Sequence, residues 1–255
     1  VIKNNTITST SGESGSGVNI EGSKYCIDGN TISNYKSGIH ITSTSFNGGA
    51  TPTAHTITDN VISGSSQKGI SIVSNADGNT ITGNTIKDGL AGIQLDGSDN
   101  NTITGNTITN NKPSNFGLVG TSQAMSINTS NNNIINNNQI TNNNQGIELN
   151  SSNGNTLDSN TISNNDGNGI RVLWGEGSII KNNVANNNSG TGFLIENPNN
   201  PIENIAEFTG NTATGNGIAD FEGIVIPDTT PPVVTVPDDM TVDYLDAGNQ
   251  NTIVT

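Results

Sequence analysis

The chain has 255 residues, of which 29% are hydrophobic and 4% aromatic, and a net charge of −14 with only eight lysines and arginines. That charge excludes nucleic acid and anionic membranes as natural partners. A single cysteine, Cys26, excludes an internal disulfide, and no apolar run approaches the roughly 18 residues that a membrane span needs.

Asparagine, serine, threonine and glycine dominate the composition, which is typical of disordered tracts. The apolar residues nevertheless recur in phase, and a disordered tract has no reason to keep them so. At nine places an apolar residue lies three positions before an asparagine and another lies two positions after it, at intervals of 22 to 32 residues. The nine asparagines are Asn5, Asn30, Asn60, Asn84, Asn106, Asn138, Asn160, Asn183 and Asn211. A recurring unit of this size predicts stacked structural repeats.

Each unit predicts three short strands. Residues 101–104 alternate polar and apolar, Gly105 and Asn106 favour a tight turn, and Thr107 begins a second strand. A Gly-apolar-x-apolar signal marks the third strand, as at residues 92–95. Strands this short cannot pair within one unit, so we expect each to pair with its counterpart in the next unit, which gives three parallel sheets. Stacking would bring the nine asparagines about 4.8 Å apart, close enough for a side-chain amide ladder.

The repeated Asn-Thr-Ile-x-x-Asn-x-Ile and Gly-Ile-x-Leu segments resemble right-handed parallel β-helix repeats of the NosD-like and pectate-lyase-like kind, over residues 1–226. The resemblance implies an all-β, single-stranded, right-handed parallel β-helix of about nine coils. Such repeats occur in lyases, epimerases, hydrolases, adhesins, phage spikes and surface proteins. It therefore implies a fold, and function must be argued from a site.

Four insertions interrupt the repeat, at residues 8–17, 42–55, 111–123 and 196–207, and insertions of this kind often carry binding. Three successive units also carry Thr-x-Thr around the leading apolar column, at residues 56–58, 80–82 and 102–104. A regular threonine plane is typical of ice binding, but three units form too short a plane.

The outward position of the third strand predicts a surface column in which side chains of successive coils are neighbours. Its members are Asn19, His40, Ser71, Gln94, Ser126, Glu148, Arg171, Leu194 and Ala219. Glu148 and Arg171 lie on adjacent coils, whereas His40 lies four coils, about 19 Å, from Glu148. Acid–base partners must come within hydrogen-bond reach, so His40 and Glu148 cannot share a site. Asp158 and Lys181, also one coil apart, form a second candidate ion pair.

Trp174 follows the Arg171 strand and is the only tryptophan in the chain. Its ring would either stack on a sugar or pack at a corner of the coil. Together with Arg171 and Glu148 it forms the best carbohydrate-binding candidate in the sequence, in which Glu148 and Arg171 are also the candidate catalytic residues. A full polyuronate-cleaving constellation is missing, because Arg171 is the only arginine and no three acids converge on neighbouring coils.

The chain changes character after residue 226. Prolines in residues 227–232 predict a linker, and residues 228–237 resemble the opening of a hyalin-repeat, immunoglobulin-like module, so we expect residues 233–255 to form part of such a β-sandwich. The candidate calcium ligands of this segment are Asp238, Asp239, Asp243 and Asp246. No other cofactor is expected.

Two functions follow from these observations. The first is a non-enzymatic, acidic β-helical rod at the cell surface or outside the cell. It would be part of a longer processed protein, a surface-layer or filament subunit that associates with its own copies or with other surface proteins. The alternative is a carbohydrate-active enzyme or binding module that uses the face near Glu148, Arg171 and Trp174, with polysaccharide as its partner.

Overall fold

A computed structural model describes residues 1–10, 15–43, 54–113, 122–196 and 205–223. Within these ranges the chain forms 27 strands and no helix. The strands make three parallel sheets of nine strands each, as the repeat predicts. Each coil contributes one strand to every sheet, so coil 1 contains the first three strands of the chain and coil 9 the last three.

Every third strand of the chain belongs to the same sheet. The first sheet contains β1 (Ile2–Lys3), β4 (Cys26–Asp28), β7 (Thr56–Thr58), β10 (Thr80–Thr82), β13 (Thr102–Thr104), β16 (Ile134–Asn136), β19 (Thr156–Asp158), β22 (Ser178–Lys181) and β25 (Ile205–Thr209). The second contains β2 (Thr6–Thr8), β5 (Thr31–Ser33), β8 (Val61–Ser63), β11 (Thr85–Lys87), β14 (Thr107–Thr109), β17 (Gln139–Thr141), β20 (Thr161–Ser163), β23 (Val184–Asn186) and β26 (Thr212–Thr214). The third contains β3 (Ser16–Glu21), β6 (Ser37–Thr42), β9 (Lys68–Val73), β12 (Ala91–Asp96), β15 (Gln123–Asn128), β18 (Gln145–Asn150), β21 (Ile170–Leu173), β24 (Phe193–Glu196) and β27 (Phe221–Glu222).

The core lies inside the coil and consists mainly of isoleucine columns. Ile81, Ile103 and Ile135 lie in register on adjacent strands of the first sheet, and all three are fully buried. Burying one such side chain contributes about 1.5–3 kcal/mol. Near the start of β9 glycine is sterically required, since a Cβ on Gly69 would overlap Cγ2 of Ile86, whereas the same position in coil 5 accommodates Ala124. The spacing of apolar residues thus sets both the strands and the direction each side chain faces.

The nine anchor asparagines form one column at the corner between the first and second sheets, and Asn106 illustrates its bonding. Its backbone N–H and its Nδ2 each donate to Oδ1 of Asn138, both at 3.0 Å. Nδ2 also donates to the carbonyl oxygens of Ile81 at 2.9 Å and Thr104 at 3.1 Å. Its own Oδ1 accepts from the backbone N–H and Nδ2 of Asn84. One amide therefore connects three successive coils.

Two further asparagine ladders occupy the other corners, and sequence reasoning missed both. One, between the second and third sheets, comprises Asn111, Asn143, Asn165, Asn188 and Asn216. The other, between the third and first sheets, comprises Asn79, Asn101, Asn133 and Asn155. Their signal was present in the sequence, because in the best-repeated coils an asparagine recurs every five residues, as at positions 101, 106 and 111.

The β-helix belongs to one compact unit, Val1–Ile224. The linker predicted at 227–232, the immunoglobulin-like fragment predicted at 233–255 and their four candidate calcium ligands all lie outside the described residues. Much of the four insertions also lies outside them. The outward face of the third sheet is described in every coil.

Replacing Asn106 with alanine should destabilise the fold by about 1–3 kcal/mol, because it removes the Oδ1 that accepts from the buried backbone N–H of Asn84. Thermal and denaturant unfolding followed by circular dichroism would measure the loss. Thr104→Ala, two residues earlier on the outer surface, is the matched control and should cost little. Equal losses in the two variants would contradict a special role for the ladder.

His55 occupies the first position of the ladder between the third and first sheets and is fully buried. Its backbone N–H donates to Oδ1 of Asn79 at 3.0 Å. Its Nδ1 accepts from the backbone N–H of Tyr25 at 3.1 Å, and Nε2 lies 3.1 Å from the carbonyl oxygen of Gly22. These partners require the neutral tautomer with the proton on Nε2. Burial lowers the pKa of His55 below its ordinary 6.5, although the Gly22 carbonyl acts in the opposite direction.

This arrangement predicts a pH-dependent stability. Because the folded-state pKa is lowered, the unfolded chain binds the extra proton more readily, so stability is complete above pH 6.5 and is lost as the pH falls below that value. His55→Asn, which restores the residue found in the rest of the ladder, should remove this part of the acid dependence. His40→Asn is the comparison, since burial lowers the pKa of His40 too; it should remove the His40 share of the acid dependence and leave that of His55. Melting temperatures of the three proteins between pH 7.5 and 5 test the prediction; identical profiles for His55→Asn and the parent would count against it.

Candidate functional site

The outward face of the third sheet carries the column predicted from the sequence. Cross-strand pairs connect His40 to Ser71, Ser71 to Gln94, Gln94 to Ser126 and Ser126 to Glu148. His40 and Glu148 are thus four strand spacings, about 19 Å, apart. His40 therefore lies outside any site that contains Glu148.

The prediction of Ala219 as the last member of this column is wrong. Glu222, not Ala219, lies in register with Leu194. Residues 217 and 218 imitate the Gly-apolar signal of the third strand, but Ile218 is 73% exposed. Phe221 instead continues the core, with its ring stacked on Phe193 at a centroid distance of 5.3 Å. Glu222 thereby adds an acid to the outer face that sequence reasoning missed.

Arg171 lies at the centre of a row of charged side chains. Its Nη1 is 3.3 Å from Oε2 of Glu148, and its Nε donates to Oε2 of Glu196 at 2.5 Å. The two carboxylates come from the coils on either side, coil 6 and coil 8. Gln123 donates from Nε2 to the other oxygen of Glu148 at 3.2 Å. The row is semi-enclosed, with the Glu148 side chain 14% and that of Arg171 34% exposed.

The electrostatics of this row fix the charge state of Arg171. Partial burial lowers the pKa of the guanidinium, but the hydrogen bonds and charges of Glu196 and Glu148 outweigh it, so the pKa is raised overall. Arg171 remains a cation with both of its carboxylate partners in place. It is poorly suited to abstract a proton, because a general base must offer its neutral form near the working pH.

Glu196 is the member of this row that sequence reasoning missed. Its backbone lies in register with Leu173 rather than Arg171, so the contact is diagonal across two neighbouring strands. A search restricted to side chains directly opposite each other cannot find it. Extending the search to the outward position two residues further along the next strand would have paired the two.

Trp174 begins the turn that follows β21 and is 49% exposed. Its backbone is left-handed, with φ at 53°. The equivalent turn position is Ser74, Gly97, Thr129 or Ser151 in earlier coils, all with positive φ. A left-handed conformation costs a side-chain-bearing residue about 1–2 kcal/mol. A large ring on such a backbone, and half exposed, points to a use other than core packing.

A second polar cluster lies on the same face in coils 2 to 4. Lys68 is half-buried, and burial lowers its pKa while Asp96 acts in the opposite direction. Ser71 lies between the core residues Ile70 and Ile72, so its side chain faces outward, yet it is only 5% exposed. Lys68 makes no ion pair within the part of the chain that the structure describes.

Asp158 and Lys181 lie in register on the first sheet, as the sequence predicts, but they do not form the predicted ion pair, since none of the five ion pairs among the described residues joins them. The pKa of Asp158 is lowered first by the hydrogen bonds from Asn182 and Ser159 and only lastly by the charge of Lys181. Among the described residues no three His, Cys, Asp or Glu side chains come together as a metal site. Metal binding at the four C-terminal aspartates remains a prediction.

Comparison with known proteins identifies the family. The model of the right-handed β-helix region matches residues 1–137 and 120–236. The chain belongs to the right-handed β-helix family. This β-helix protein matches no curated protein in sequence. No helix within its described ranges is long and apolar enough to cross a membrane.

Among solved structures, the β-helix resembles the periplasmic alginate epimerase AlgG, with a TM-score of 0.65 and 19% identity over 78% of this chain and 47% of that one. A mutant of the same epimerase gives a TM-score of 0.65 at 17% identity, over 78% and 48% of the two chains. The match to tailspike protein 2 of an Escherichia coli O157:H7 bacteriophage covers 89% of this chain and 40% of the tailspike chain, with a TM-score of 0.49 and 15% identity. The β-helix thus spans about half the length of the epimerase, and at these identities the likeness establishes the fold alone.

Trp174→Gly should stabilise the protein by about 1 kcal/mol, because glycine adopts the left-handed conformation without strain. Ser151→Gly, at the same turn position one coil earlier, is the matched control and should give a similar gain, since its φ of 51° is relieved in the same way. Denaturant unfolding measures both changes. A marked destabilisation by Trp174→Gly would show that the ring is held for packing instead.

Proposed function

We propose that the outer face of the third sheet around Trp174 binds polysaccharide. The observation that carries the proposal is the half-exposed Trp174 ring on a left-handed backbone, one residue after Leu173, whose partner in register is Glu196 of the Glu148–Arg171–Glu196 row. An aromatic ring offers a flat apolar surface to the C–H face of a sugar, and fixed carboxylates accept hydrogen bonds from its hydroxyls. The fold relationship to an enzyme named for alginate supports this choice of ligand class.

The permanent positive charge of Arg171 favours polysaccharide binding over catalytic turnover. A lyase or epimerase acting on uronates needs a base near the sugar C–H bond, and Arg171 is held charged between two carboxylates. His40 is too distant to serve. The alternative is catalytic turnover, with Glu148 and Arg171 as the catalytic residues.

A structural rod is the first function that the sequence suggests. The relationship to a polysaccharide-acting enzyme favours the carbohydrate interpretation over that rod. The two are compatible in one molecule, since three ladders stiffen a β-helix whose face carries a binding site. We place the protein outside the cytoplasm, at the cell surface or beyond. Its downstream immunoglobulin-like module stays a prediction.

A panel of polysaccharides tests the proposal. Alginate, polygalacturonate, xylan, mannan, β-glucan and chitin oligosaccharides would be compared by titration calorimetry and affinity electrophoresis, with product analysis to detect turnover. At least one should bind, and Trp174→Gly should weaken it at least tenfold, since about 1.5 kcal/mol of buried aromatic contact corresponds to tenfold in affinity. Ser151→Gly is the control and should bind as the parent does. Binding by none of the six, or binding untouched by Trp174→Gly, would remove the proposal.

A further inference from the structure

We infer that the glycan bound at Trp174 is uncharged. It would therefore differ from alginate, the polyuronate that gives the epimerase of similar fold its name. The inference rests on the proposed function and specifies the substrate class of the same site. It depends on whether any cation near Trp174 is free to meet a sugar carboxylate.

Arg171 is the only cationic side chain on the outer face of the third sheet in coils 6 to 9, within the described residues. Its Nε and Nη1 are directed at Glu196 and Glu148, at 2.5 Å and 3.3 Å. A guanidinium binds one carboxylate well through a two-pronged contact, and here two protein carboxylates already share it. A uronate would have to displace one of them.

The carboxylates of coils 6 to 9 outnumber this cation. Glu148, Glu196 and Glu222 lie on the outer face of coils 6 to 9, and Glu176 lies exposed two residues after Trp174. Thr191 donates a hydrogen bond from its Oγ1 to Oε2 of Glu222 at 3.1 Å. Four carboxylates beside one committed guanidinium leave the patch negative, so a polyuronate meets repulsion where it would have to lie.

The nearest alternative cation on this face is Lys68. It lies in coil 3, four strand spacings or about 19 Å from Arg171, so a sugar stacked on Trp174 cannot reach it. An acidic glycan that used Lys68 would occupy a different place on the sheet and would not depend on the tryptophan.

An uncharged sugar fits every feature of the patch. Its C–H face covers the Trp174 ring, and its hydroxyls donate to free lone pairs on Glu148 and Glu196, which Arg171 holds in position. Hydrogen bonds from hydroxyls to ionised carboxylates are short and strong. The ion-paired row is therefore a set of fixed acceptors for hydroxyl groups, and Arg171 is a positioning residue.

Glu196→Gln is the decisive variant, because it replaces one of the two carboxylates paired with Arg171 by a neutral amide and so removes one negative charge beside the guanidinium. The parent should bind xylan, mannan, β-glucan or chitin oligosaccharides, with affinity little changed between 50 and 500 mM NaCl, and should not bind alginate or polygalacturonate. Glu196→Gln should bind the two polyuronates at least fivefold more tightly than the parent, and salt should abolish that gain. Glu21→Gln is the matched control, since Glu21 holds the same outward position in coil 1 and its loss changes net charge equally.

The outcomes separate this inference from the proposed function. Polyuronate binding by the parent that Trp174→Gly weakens would overturn the inference and leave the proposed function standing. Polyuronate binding that survives Trp174→Gly but is lost in Lys68→Met, together with no glycan whose binding depends on Trp174, would overturn both. An equal gain in Glu196→Gln and Glu21→Gln would also overturn the inference, since net charge and not the charge removed beside the guanidinium would then be responsible.

Discussion

The hydrogen bond from one asparagine to the Oδ1 of the asparagine in the next coil is the interaction on which the rest of this structure depends. Short parallel strands gain little from pairing alone, and their corners leave backbone N–H and C=O groups inside the coil. The amide side chain supplies one acceptor and two donors at each corner. At Asn106 it satisfies the N–H of the coil below and carbonyls of the same and the preceding coil. With a ladder at all three corners, successive coils are held in register, and the corner residues Asn60, Asn101 and Asn143 are buried without cost.

Register is also what gives the outer face its chemistry. Because each third-sheet strand stacks directly on the one before, residues that lie 23 or 25 positions apart in the chain become neighbours, as in the pairs formed by Arg171. The same stacking separates His40 from Glu148. Chemistry on this surface is therefore local to two or three coils. It arises where charged or aromatic residues interrupt the run of serines, threonines and asparagines.

Much of the fold could be predicted from the sequence, because the isoleucine columns and the turn residues repeat with few exceptions. The site could be predicted only in part. Glu148 and Arg171 face each other directly and are found by aligning repeats, whereas Glu196 reaches Arg171 diagonally through side-chain length. Trp174 was found as a residue, but its left-handed backbone and exposure depend on turn geometry that the repeat pattern does not encode. Ala219 was misplaced because Gly217 and Ile218 imitate a strand signal, and the core preferred the Phe221 ring against Phe193.

The ladders also bear on how such a molecule changes size. Each asparagine of the anchor ladder presents the same donors to the next coil and the same acceptor to the coil before, so a unit such as the 22 residues from Asn84 to Asn106 matches its neighbours at this corner. Duplication or loss of one unit in the gene would rejoin matching surfaces and leave the remaining core intact. The length of the β-helix can thus evolve by whole coils while the residues around Trp174 stay as they are.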